Sequence, residues 1–192
     1  MTTIAVVRKG RYCAIAADTL TKWGHGKEGA NYISNHDKIQ KVGDTYLAIT
    51  GTTTFKTIAS DYFGGRGVRP RFDSPIEIFR TWQRFHAALK DRYFLQPTED
   101  KDDALESSRM DVLFANPHGI FGIAAHRTVQ EYSKFYAFGS GGDIALGTMY
   151  ALYDVPGCSA EDIAQRAIEA AAEFNDATGL PATSHTVRLR LR

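Results

Sequence analysis

An α+β fold is predicted for this chain, built as a four-layer αββα sandwich of two antiparallel sheets with a helix pair outside each. Three observations predict it. Strand-like and helix-like segments come in grouped runs, in the order strands, two helices, strands, two helices, strand. The first run opens on a hairpin pattern, and the helices carry recognisable start signals. With 192 residues and 21.3 kDa, the chain suits a single domain spanning residues 1–192 with a substantial core.

Thr3 to Lys9 reads as a strand, Gly10-Arg11 as a two-residue turn and Tyr12 to Asp18 as a second strand, which brings Thr2 and Asp18 to one sheet end. Thr19 to Asp37, with Gly24, Gly26 and Gly29, reads as a long connection before an extended segment from Lys38 to Val42. Asp44 to Thr50 forms a strand that closes on Gly51, and Phe55, Ile58, Ala59 and Tyr62 give the next segment helical spacing. Ser74-Pro75-Ile76-Glu77 has the form of a capping box with proline at the first helical position. Ile78, Phe79, Trp82, Phe85 and Leu89 then mark an apolar face.

Leu95 to Ser108, with Glu99, Asp100, Asp102 and Asp103, reads as an exposed acidic loop. Met110 to Ala115 and Ile120 to Ala125 flank Asn116-Pro117-His118-Gly119 as a hairpin, and Val129 to Lys134 and Tyr136 to Phe138 continue the strands. Gly139-Ser140-Gly141-Gly142 leads a helix to about Tyr153. Ser159 to Asp162 caps another, with Ile163, Ala167, Ile168, Ala171 and Phe174 on one side. Thr183 to Leu191 alternates Val187, Leu189 and Leu191 with Arg188 and Arg190, as a half-exposed strand does.

Lys and Arg number 23 against 22 Asp and Glu, a formal net charge of +1, which argues against nucleic acid or an anionic membrane as partner. With no spanning apolar stretch and no signal-peptide pattern, a soluble cytoplasmic protein is expected. Cys13 and Cys158 suit a reducing compartment, and the six histidines lack metal-ligand spacing, so no metal is expected.

The opening Met1-Thr2-Thr3-Ile4 leads straight into a strand. Threonine is small enough for the initiator methionine to be removed, leaving Thr2 with a free α-amine beside its own hydroxyl. An α-amine of pKa roughly 7.7–8.0 is a better base at neutral pH than a lysine near roughly 10.4. Thr2 is thus a candidate nucleophile with its own base. The glycine-rich 139–142 corner could cradle phosphate, but no lysine follows it as in a P-loop.

Taken together, Thr2-Thr3-Ile4, Ala17-Asp18, Lys38, Gly51 before a helix, and Phe138-Gly139-Ser140-Gly141-Gly142 resemble the proteasome-type N-terminal nucleophile hydrolases. The resemblance is to HslV and bacterial β-type subunits, most of all to the small proteasome homologue group abbreviated BPH, and covers nearly the whole chain. It implies a threonine endopeptidase without cofactor, with Thr2 as nucleophile, Lys38 lowering the pKa of its amine, and Asp18 holding Lys38 charged. Gly51 would offer an oxyanion donor, and Ser140 would contact the Thr2 amine. In Asn175-Asp176-Ala177-Thr178-Gly179, Thr178 matches the family serine, while either Asn175 or Asp176 matches the family aspartate; Asp176 and Thr178 are the candidates taken with the site.

Thr21, Ile49 and Thr53 are candidate substrate-pocket residues by position, and the connection from Asp18 to Lys38 is longer than is usual in the family. The resemblance further implies homo-oligomeric stacked rings, peptide or unfolded-protein substrates and an ATP-dependent unfolding partner; no N-terminal extension is seen that would gate a pore. Two other readings stand beside it: an N-terminal nucleophile amidase acting on small amides, and a silent ring-forming subunit that retains Met1.

Overall fold

Gly10 takes φ +60°, a conformation glycine adopts without steric cost, and so reverses the chain between β1 (Thr3–Lys9) and β2 (Tyr12–Ala17). The computed structural model describes residues 2–96 and 104–190. Met1, the acidic residues Glu99, Asp100, Asp102 and Asp103, and Leu191 lie outside the described residues.

The other strands are β3 (Thr21–Trp23), β4 (Gly26–Glu28), β5 (Ile39–Val42), β6 (Thr45–Ile49), β7 (Val112–Asn116), β8 (Gly119–Ile123), β9 (Val129–Tyr132), β10 (Phe135–Gly139) and β11 (Thr183–Arg188). The helices are α1 (Thr54–Gly64), α2 (Pro75–Asp91), α3 (Gly142–Leu152) and α4 (Ala160–Phe174). One antiparallel sheet runs β10-β1-β2-β11 and the other β5-β6-β7-β8-β9, with β3 and β4 as a separate small hairpin.

The strand pleat explains the four layers. On β1, Ile4 and Val6 face Leu113, Ala115 and Ile120 of the second sheet, whereas Ala5 and Val7 face Ile163, Ala167 and Ile168 of α4. Alanines at 5, 14 and 16 leave room for the α3/α4 pair to sit close on the first sheet. Across the second sheet, Leu47, Val112, Phe114 and Phe121 meet Trp82, Phe85 and Leu89 of α2 and Phe55 and Phe63 of α1. The α+β sandwich expected from the sequence is the observed fold.

Several local expectations are corrected. The connection after Asp18 contains the β3/β4 hairpin, and β10 joins the first sheet beside β1 rather than extending the second. Ser74 makes no side-chain cap, and Glu77, whose carboxylate would close the box, pairs instead with Arg80, at 2.7 Å, and Arg71. Phe79 is 36% exposed: at 3.6 residues per turn it falls on the flank of the stripe, and His86 and Thr81 are buried in its stead. At α4 the box forms as expected, Asp162 N–H donating to Ser159 Oγ and Ser159 N–H to Asp162 Oδ2. Phe174, the last residue of that helix, is exposed, so the packed stripe ends at Ala171.

Candidate active site

The hairpin register that pairs Ile4 with Ala17 sets Thr3 beside Asp18 at the sheet end. Asp18 is fully buried, and its carboxylate is saturated with donors. Oδ1 accepts from Thr3 N–H at 2.9 Å and from Lys38 Nζ at 2.7 Å. Oδ2 accepts from the N–H groups of Leu20 and Gly179, each at 3.1 Å. Three amides and an ammonium offset the cost of taking this carboxylate out of water. Lys38, its side chain 12% exposed, also donates to Leu20 O at 2.6 Å. Burial pushes the Lys38 ammonium below its ordinary pKa, Asp18 opposes that by charge and hydrogen bond, and the Lys56 charge adds to the lowering.

Thr2 is buried at the start of β1, and its carbonyl accepts from Ser140 N–H at 3.1 Å. This contact requires the glycine before Ser140: Gly139 has φ +100°, and a Cβ there would stand 1.8 Å from Thr2 O. Ser140 thus reaches Thr2 through its backbone. Beyond it runs a chain of hydroxyls. Gly141 N–H donates to Thr3 Oγ1 at 2.9 Å, Thr3 and Thr178 hydroxyls meet at 2.6 Å, and Thr178 Oγ1 donates to Asn175 Oδ1 at 3.0 Å. Since the Thr178 proton goes to Asn175, Thr3 is the donor to Thr178, and each bond polarises the next.

Between the two candidates for the acidic position, Asn175 is the one that turns inward. Its Oδ1 also accepts from Ala177 N–H at 3.1 Å, and its Nδ2 donates to Ser140 O at 3.2 Å. Asp176, taken with the site from the sequence, has its side chain 81% exposed and pairs with Lys22 at the surface. The correction has a simple cause: Asn175 and Asp176 are neighbours on the turn after α4, and a one-position shift exchanges a side chain bonded to Thr178 and Ser140 for one held at the surface by Lys22.

Thr2, Lys38 and Gly51 share a pocket of about 240 Å³ with all three pocket candidates, Thr21, Ile49 and Thr53. Gly51, at φ +102°, admits no side chain, because Arg109 O would lie 2.8 Å from its Cβ. Among the described residues the Gly51 N–H carries no hydrogen bond. Glu28, from the small hairpin, and Ile33, His36 and Lys56 are among the other residues of the wall and were not foreseen. Lys56 donates to Asp37 O at 2.8 Å and to Asn35 O, and burial pushes its pKa down. Ile33 and His36 come from the irregular 29–37 stretch, where no periodicity marks which side chains turn inward. Among the described residues, no group of three or more His, Cys, Asp or Glu could hold a metal ion, and no helix is long and apolar enough to cross a membrane.

The chain matches no family model and no curated protein sequence. It is similar to solved structures. The structure of Thiobacillus denitrificans BPH in complex with epoxomicin shares 56% identity, covers 99% of this chain and 100% of its own, and superposes with a TM-score of 0.94. A second structure of Thiobacillus denitrificans BPH gives 57% identity over 98% of this chain and 99% of its own, also at 0.94. HslV from Trypanosoma brucei, at 20% identity over 97% of this chain and 99% of its own, shares the fold at 0.70. With that likeness extending over nearly the whole chain, the chain belongs to the BPH family of proteasome-type N-terminal nucleophile hydrolases.

Proposed function

We propose that this protein is a threonine endopeptidase in which Thr2, once Met1 is removed, is the nucleophile. The observation that carries the reading is the shared pocket, which holds Thr2, the Asp18-bound Lys38 and the Gly51 N–H, which has no hydrogen bond among the described residues. Thr2 Oγ1 attacks the scissile carbonyl carbon while its proton passes to the Thr2 α-amine, and the carbonyl π pair becomes an oxyanion facing Gly51 N–H. Collapse expels the leaving amine, which takes the proton, and leaves an ester on Thr2. Water, deprotonated by the same amine, then attacks the ester, and the second collapse returns the proton to Oγ1.

Lys38 would depress the pKa of the amine by like-charge repulsion, Asp18 would keep Lys38 in place, and Asn175 and Thr178 would fix the first strand through Thr3. Residues 1–192 would act as one cytoplasmic domain within stacked homo-oligomeric rings, cleaving peptides or unfolded proteins, with an ATP-dependent unfoldase as candidate partner. The family membership supports this, as does the relative whose structure holds epoxomicin.

Intact mass before and after epoxomicin treatment, with Thr2→Ala as control, tests the reading. Loss of the methionine mass and a single adduct absent from the variant are expected. A retained methionine would overturn it in favour of a silent subunit. An adduct accompanied by turnover of small amides but no peptide would favour the amidase.

A further inference from the structure

The Gly51 amide belongs to the peptide linking it to Thr50, so its direction depends on how Thr50 is held. Thr50 lies one residue past β6, and Asp111 lies one residue before β7. Thr50 N–H donates to Asp111 O at 2.8 Å, and Asp111 N–H donates back to Thr50 Oγ1 at 3.0 Å. The Thr50 hydroxyl proton has Asp111 O at 3.3 Å and Asp111 Oδ2 at 3.4 Å to choose from. Asp111 is anchored in turn, its Oδ1 accepting from Ala125 N–H at 3.1 Å just past β8.

On the far side stands Arg109, itself at φ +57°, whose carbonyl blocks the space behind Gly51. Backbone and side chain of Thr50 are therefore pinned to one residue, while the glycine after it is wedged from behind. Thr50 is buried, so a hydroxyl lost there would leave Asp111 N–H without its acceptor.

We propose that Thr50 is a positioning residue: its hydroxyl, clamped to Asp111, holds the Gly51 N–H in the direction that receives the developing oxyanion. The role rests on the peptidase reading above. A hydrogen bond weakens steeply with misalignment, and a preorganised donor helps most in the transition state, so loosening the clamp slows chemistry more than it weakens substrate binding.

The test compares wild type, Thr50→Val and Thr50→Ser on one peptide substrate and two matched reversible inhibitors, a peptide aldehyde and its primary alcohol. Thr2 Oγ1 adds to the aldehyde carbon, the hydroxyl proton passing to the α-amine as the π pair becomes an oxyanion; the alcohol forms no such bond. Thr50→Val is expected to lower kcat about 10- to 100-fold with KM within about twofold, because complete loss of an oxyanion donor costs about 10²–10³. Aldehyde affinity should fall by the same factor as kcat and alcohol affinity should hold, with Thr50→Ser restoring both kcat and aldehyde affinity.

Equal weakening of aldehyde and alcohol, or an unchanged kcat, would overturn the role of Thr50 alone. A wild type that forms no Thr2 adduct and ignores the aldehyde would overturn the peptidase reading and this role with it. Should Thr50→Val fail to fold, Thr50→Ala, which adds no methyl where the hydroxyl stood, is read by the same comparison.

Discussion

The Lys38 ammonium stands 2.7 Å from Oδ1 of Asp18, a carboxylate with no solvent exposure that also accepts the Thr3 N–H. One oxygen therefore links the lysine in the pocket to the strand residue that follows Thr2.

Removing either member of this pair has different consequences. Asp18→Ala takes the acceptor from three amides and the counter-charge from the Lys38 ammonium, and is expected to destabilise the fold by about 3–5 kcal/mol. Lys38→Met leaves Asp18 its three amides but not its counter-charge, so it should cost less stability than Asp18→Ala while turnover falls by roughly 10²–10⁴. Denaturant unfolding and single-turnover rates on the two variants check this; a Lys38→Met enzyme of wild-type rate would remove Lys38 from the mechanism.

Gly139→Ala should separate folding from function. Its Cβ has nowhere to go but into Thr2 O, so Thr2 must shift, whereas the three core clusters lie on other residues. The expected result is a folded protein with a lowered melting temperature that takes no epoxomicin adduct, read by circular dichroism and intact mass.

Asn175 and Asp176 should respond in opposite ways. Asp176→Asn alters an exposed ion pair, so stability should stay within about 0.5 kcal/mol and turnover within about twofold. Asn175→Ala strips the acceptor from Thr178 Oγ1 and Ala177 N–H, which is expected to cost about 1–3 kcal/mol and to slow turnover. The reverse ranking would restore Asp176 to the site.

His86 gives stability a pH dependence. Burial pushes its pKa below the ordinary 6.5, with the Arg127 and Lys90 charges adding to the lowering, and Glu106 opposing it through a bond to Nε2 at 3.2 Å. Ser108 Oγ meets Nδ1 at 2.9 Å. The unfolded chain then binds this proton more readily than the folded one. The contribution is fully present above 6.5 and is lost as pH falls from there toward the depressed folded value. The urea midpoint should rise between about pH 5 and about pH 7, and the rise should flatten in His86→Gln. An unchanged slope in the variant would assign the effect to other groups.

The layers were legible because each strand face and helix stripe repeats at its own period, and because β1 and β2 are joined by the shortest of turns. Asp18, Lys38 and Gly51 enter the site through the family resemblance; the strand pattern alone only sets each at a strand end. Thr3 was passed over beside Thr2, though its hydroxyl is the one that meets Thr178. The β3/β4 hairpin escaped because three-residue strands such as Thr21–Trp23, polar and flanked by glycine, carry almost no periodic signal. The wall residues Ile33 and His36 were invisible for a related reason: nothing in a coil orders its side chains.

The sheet order β10-β1-β2-β11 has a consequence for the timing of folding. Thr3 pairs with Gly139, Ala17 pairs with Thr183, and Asp18 and Thr3 take hydrogen bonds from Gly179 and Gly141. The surroundings of β1 are thus supplied by segments synthesised well after it, across loops whose closure is entropically costly and slow. A growing chain carries Thr2 from the start, yet no fragment that stops short of residue 179 can complete the donor set around Asp18. The order of synthesis itself keeps the half-made protein from holding a finished site.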